Sequence, residues 1–202
     1  MASEHTNPKQ EMAQMAGKIM SDTRTVKEIL YEQINSITEQ RIQKDISGGN
    51  TAALIKKIID NCRSEIIGLG GSQHESFETL AESLMHYLLT NALIQSQRKV
   101  THNATEIDIV IPDMRTLLSS PKDALVVLFP KTSDAGAILE SLGKIGTVQP
   151  IKENIWLVEK AGLGLQYKTY EIDNGCSFSN IINDIASFLS SKAQSRLKIF
   201  KV

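Results

Sequence analysis

A chain of 202 residues that is 41% apolar has room for one medium domain with an appendage, or two small ones, and enough apolar mass for a real core. A net charge of −1 excludes nucleic-acid binding as a bulk electrostatic property, so any such binding has to come from a local patch. No apolar run approaches the roughly 18 residues of a membrane span, the N-terminus shows no leader pattern, and the two cysteines, Cys62 and Cys176, have neither zinc nor disulfide spacing. The expectation is therefore a cytoplasmic protein without a membrane segment.

Residues 1 to about 10 are polar and read as a fraying end. From Glu11 to about Ile46 the chain reads as helix, with Val26, Leu30, Ile34 and Ile37 forming one apolar stripe. Thr25 and Glu28 have capping-box spacing, which predicts a break near Asp22. Ser47-Gly-Gly-Asn50 stops that helix. A second begins at Thr51 and carries Leu54, Ile55, Ile58, Ile59, Cys62, Ile66 and Ile67. Gly68-Leu-Gly-Gly-Ser72 ends it and divides the chain into a helical N-terminal extension (1–70) and a remainder (71–202). It lacks the Gly-Lys-Ser/Thr ending of a P-loop and reads as a linker.

A third helix is predicted from about Glu75 to Gln97. Phe77, Leu80, Leu84 and Leu88 line one face, and Glu75, Glu78, Glu82 and His86 line another. Past residue 100 the period changes from 3.6 to 2. Ile107, Ile109 and Ile111 alternate along one strand, and Leu125 to Phe129 is a continuous apolar strand with both faces covered. A helix follows from about Ser133 to Gly143, then strands at 154–158 and 165–170, a helix from Phe178 to Leu189, and an alternating edge strand at 197–202. The predicted fold is α/β, a mixed central sheet flanked by helices, with the 106–111 and 124–129 strands as neighbours.

Chemistry concentrates where these elements meet. Glu106 and Asp108 open a β-branched strand, Lys131 ends the next one, and Glu78 or Glu82 comes from the preceding helix. An acid inside Ile107-Asp108-Ile109 either points at water or interrupts a buried strand at a desolvation cost. Hard carboxylate oxygens with a nearby lysine are the parts needed to hold a divalent ion and handle a phosphodiester. In this order, over roughly residues 75 to 145, they resemble the restriction-endonuclease-like superfamily, PD-(D/E)XK. Thr105-Glu106-Ile-Asp108-Ile-Val stands for its second motif and Leu125-Val-Val-Leu-Phe129-Pro130-Lys131-Thr132 for its third. The resemblance implies a restriction-endonuclease-like sheet, Asp108, Lys131 and Glu82 as catalytic residues, Asp108, Glu82 and Glu106 as metal ligands, Mg²⁺ or Mn²⁺ as cofactor, and nucleic acid as substrate.

The sequence departs from that pattern at Phe129, which stands where the superfamily has an acid two residues before the lysine. One ligand is thus lost or supplied from elsewhere, such as Glu82. Val158-Glu159-Lys160 is a second acid near a lysine, without the spacer residue. His86 and His102 are weak metal candidates. Two readings follow: a nuclease-like protein that acts on or binds nucleic acid with degenerate catalysis, or a non-catalytic interaction module. In the second, the leading helices assemble with a partner or as a homo-oligomer. Arg98, Lys99 and Lys131 on one face would favour nucleic acid, and an exposed apolar stripe on the leading helices would favour assembly.

Overall fold

The structure, a computed structural model, describes residues 24–173 and 175–199. The predicted break near Asp22 and the helix before it lie outside the described residues. Helix α1 (Val26–Ser36) starts with the capping box: the Thr25 amide donates to Glu28 Oε2 at 2.7 Å, and the Glu28 amide donates to Thr25 Oγ1 at 3.3 Å. The helix expected to continue to residue 46 instead breaks where Ile37 and Thr38 turn extended, and α2 (Glu39–Ser47) begins a new axis. Helix α3 (Thr51–Gly68) matches its predicted span closely. Gly70 and Gly71, at φ of +73° and +72°, make the left-handed turn that reverses the chain into α4 (Gln73–Asn91).

The expected end of α4 at Gln97 is a correction. The helix stops at Asn91, and residues 97–102 form β1 (Gln97–His102), an edge strand with polar side chains. A two-residue turn at Asn103 and Ala104 leads into β2 (Thr105–Ile111). Then come a short helix α5 (Met114–Ser119), β3 (Leu125–Leu128), α6 (Ala135–Gly146), β4 (Ile155–Glu159), β5 (Lys168–Glu171) and α7 (Ile181–Ile199). Residues 197–199, expected in an edge strand, belong to α7.

The five strands lie in sequence order, β1 to β5. The first three pair antiparallel, with Val110 opposite Val126, and the last three parallel, with Val127 beside Trp156. This is a mixed sheet flanked by helices, with β2 and β3 adjacent as the apolar patterning implied. Helix α6 makes the β3-to-β4 crossover. The β4-to-β5 return uses only residues 160–167, an extended strap that lays Leu163, Leu165 and Tyr167 over the sheet.

One face of the sheet, through Ile109, Val127, Trp156 and Val158, shares a core with Ile29, Leu30, Ile55, Ile58, Phe77, Leu84 and Ile185 from the helices. The other, through Ile107, Val126 and Leu157, packs on Leu117, Ile138, Leu142 and Ile145. Residues on both sides of the Gly68–Ser72 turn therefore enter one core. Among the described residues, the apolar stripe of the leading helices packs on α4, α7 and one another, with Tyr31 and Ile67 left exposed.

Candidate functional site

Helix α4 turns most of its surface inward, and this carries two acids with it. Glu75 and His86 face solvent, as a charged helix face normally does, but Glu78 and Glu82 are 0% and 3% exposed. One turn apart, they lie against the ends of the strands. Buried carboxylates must be paired or protonated, so their partners define what this corner of the fold does.

Glu78 joins the parallel strands at their exits. Its Oε2 accepts from the Lys131 amide just past β3, and its Oε1 accepts from the Lys160 amide just past β4 at 3.2 Å. Burial pushes this carboxyl up to about 7, against the pull of those two amides and with the neighbouring Glu159 adding to the rise. Glu159 is itself buried and raised, chiefly by burial, and accepts from the Leu163 amide at 3.2 Å. Glu159 therefore holds the strap rather than a ligand site.

Glu82 gathers cations. Lys131 Nζ lies 2.7 Å from its Oε2, while Arg98 Nη2 and Lys99 Nζ lie 3.0 and 3.3 Å from its Oε1. Burial alone would raise the Glu82 carboxyl, but the hydrogen bonds from Lys131 and Arg98 outweigh it and hold the group below its ordinary value. Lys99 also pairs with Asp108 Oδ1, and Asp108 Oδ2 accepts from the Phe129 amide at 2.8 Å. Burial would lower the Lys99 ammonium, yet Asp108 and Glu82 keep it above its ordinary value.

The strand geometry at this point is unusual. Arg98 pairs with Ile109 and Val100 with Ile107, but the rung between them, Lys99 opposite Asp108, is missing from the ladder. Ile107 joins one core and Ile109 the other, so the side-chain alternation flips across Asp108. Lys99 at φ +49° and Lys131 at φ +59° are both in the left-handed region, which costs a residue with a Cβ on the order of 1 kcal/mol each.

Asp108, Lys99 and Lys131 line an open groove of about 390 Å³, together with Glu106, Thr132 and Ser141. A roomier groove of about 570 Å³ lies far off, among α1 to α3, but Arg41 and Asp45 within it already pair with each other and it has no buried charge. We place the site with the buried charges. The expected residues Glu82, Asp108 and Lys131 are brought together through their ion pairs. Glu106 lines the groove but is exposed, and no ion pair joins it to the cluster.

The donor set fits a divalent ion poorly. Among the described residues, no group of three His, Cys, Asp or Glu is arranged to hold a metal. Glu82 and Asp108 are both engaged by ammonium or guanidinium groups, and the missing third acid is Phe129. Phe129 is 2% exposed and its side chain belongs to the larger core. A hard cation that prefers six oxygens would find two carboxylates here, each already held.

With the helix predicted to end near Gln97 and residues 98–102 given no element, the strand that delivers Arg98 and Lys99 is not anticipated. The available signal was the Asn103-Ala104 pair followed by a period-2 run, a weak form of the Asn-Gly hairpin pattern. Comparison with known proteins found no matching family model, no significantly similar curated protein and no significantly similar solved structure.

Proposed function

We propose that this protein is a restriction-endonuclease-like domain that binds the phosphodiester backbone of nucleic acid and has lost metal-dependent cleavage. The observation that carries the reading is a groove lined by Asp108 from β2, Lys99 from β1 and Lys131 from the exit of β3, whose two lysines are tied, with Arg98, to the buried Glu82 of the helix before the sheet. The reading is supported by the order of elements around that groove, a helix, three antiparallel strands, a helix and a parallel strand.

Arg98, Lys99 and Lys131 stand against Glu82, Asp108 and the groove-lining Glu106, three positive charges to three negative, so the attraction for phosphate rests on where the ammonium heads sit and not on a net charge. The two carboxylates fix the ammonium heads in place, so their positions are set before a ligand arrives. Lys99 and Lys131 stay partly exposed and can donate their remaining hydrogens to non-bridging phosphate oxygens. Cleavage would further require a way to activate water, and the residue in the place of the missing acid is a core phenylalanine. Assembly through the leading helices, the alternative, has less behind it, because among the described residues most of their apolar side chains are covered, Tyr31 and Ile67 excepted.

Fluorescence anisotropy of labelled single- and double-stranded oligonucleotides in EDTA and low salt tests the reading. Binding in the range of about 1–100 µM is expected, as for sequence-independent backbone contacts. Lys131→Met should weaken it by roughly tenfold, and Lys56→Met, on an exposed ion pair of α3, should leave it unchanged. Adding Mg²⁺ or Mn²⁺ should produce no cleavage. Absence of binding to any DNA or RNA probe, or equal binding by Lys131→Met, would overturn the proposal.

A further inference from the structure

We infer that a nucleic-acid strand held in the groove continues along α4 to a second phosphate contact, made by Arg63 and Lys160 beside the exit of β4. The inference rests on the phosphate-binding reading above and adds to it two residues that do not line the groove.

Arg63 of α3 and Lys160, the first residue past β4, share one carboxylate. Arg63 Nη1 donates to Asp173 Oδ1, and Lys160 Nζ lies 2.9 Å from Asp173 Oδ2. The buried ring of Phe77 lies against both heads, its centroid 5.3 Å from the Arg63 guanidinium carbon and 5.7 Å from the Lys160 nitrogen. A ring face attracts cations without supplying a counter-charge. Within this triad two cations therefore meet one acid. Both heads are partly exposed and keep hydrogens to donate to non-bridging phosphate oxygens.

Position ties this triad to the groove. Strands β3 and β4 are parallel neighbours, Leu128 beside Leu157, which sets their exits about 4.8 Å apart. Glu78 fixes that spacing by accepting from the amides of both Lys131 and Lys160, and this occupies both of its buried oxygens. Along α4, Phe77 stands beside Arg63 and Lys160, and Glu82 beside Lys131, Arg98 and Lys99. Those two positions are five residues apart, roughly 7.5 Å at about 1.5 Å per residue. Phosphates along one stacked strand rise about 3.4 Å each, so the two groups of cations stand about two phosphates apart. One strand following the helix meets both.

Anisotropy titrations of the full-length protein in EDTA and low salt test the inference, with a labelled thymidine trinucleotide and a labelled thymidine octanucleotide as probes. The shorter probe can fill the groove alone, and the longer one reaches both groups. Lys160→Met, which keeps an apolar stem on the Phe77 ring, should weaken the octanucleotide by about three- to tenfold and leave the trinucleotide within about twofold. Arg63→Gln, which leaves Asp173 paired with Lys160, should do the same. Lys131→Met should weaken both probes. Circular dichroism establishes that the variants are folded. Octanucleotide binding unchanged in folded Lys160→Met and Arg63→Gln, with Lys131→Met still weakened, would overturn this inference and leave the phosphate-binding reading standing. Wild type binding neither probe would overturn both.

Discussion

Glu78 has no exposed surface, yet it accepts hydrogen bonds from backbone amides at the exits of both β3 and β4. Its folded-state value of about 7 stands above the ordinary 4.5, so its contribution to stability is fully present below about pH 4.5 and is lost as pH rises through about 7. A rise of that size corresponds to on the order of 3 kcal/mol between the two limits. Chemical denaturation at pH 5.5 and pH 8 should find wild type more stable at the lower pH. Glu78→Gln should flatten that difference, because the variant has no proton to lose there. An unchanged pH dependence in Glu78→Gln would assign the effect to another group. Phe129 belongs to the same scale. Phe129→Glu places a carboxylate in the larger core, so a loss of roughly 3–5 kcal/mol in denaturation is expected, with no gain of cleavage.

At the scale of elements, long periodic segments were legible and local backbone events were not. Helix α3 and strands β2 to β4 carry enough apolar side chains at one period to be read directly. The break at Ile37-Thr38 has no Gly or Pro to announce it. Strand β1 is hidden because it is an edge strand of polar residues, and its turn carries Ala104 where a type I′ turn prefers glycine. Of the site, the acids and Lys131 were legible from their place in the strands. The bond from Glu82 to Arg98 and Lys99 depends on a strand the pattern did not show. The turn itself gives a test: Asn103 and Ala104 lie at φ +47° and +61°, so Ala104→Gly should raise the denaturation midpoint by the equivalent of about 0.5–1 kcal/mol. A loss of stability there would mean that the left-handed turn is wrong.

For the whole molecule, the shared core decides how the chain can be divided. Ile29, Leu30, Ile55, Ile58, Ile59 and Ile66 are all fully buried beside α4, α7 and the sheet. At roughly 1.5–3 kcal/mol for each buried aliphatic side chain, removing them costs about as much as the roughly 5–15 kcal/mol by which a domain is stable. A protein starting at Ser72 should therefore show no cooperative unfolding by circular dichroism. A cooperative transition would mean that the sheet supports itself. The central claim is that a small cationic cluster on this nearly neutral molecule grips phosphate, and the salt dependence of binding tests it most directly. In EDTA, the logarithm of the association constant for a labelled oligonucleotide should fall linearly with the logarithm of salt concentration, with a slope of about −2 to −3 for the three cations. In Lys131→Met the slope should shrink by about one. A slope near zero, or one that Lys131→Met leaves unchanged, would contradict phosphate binding at this site.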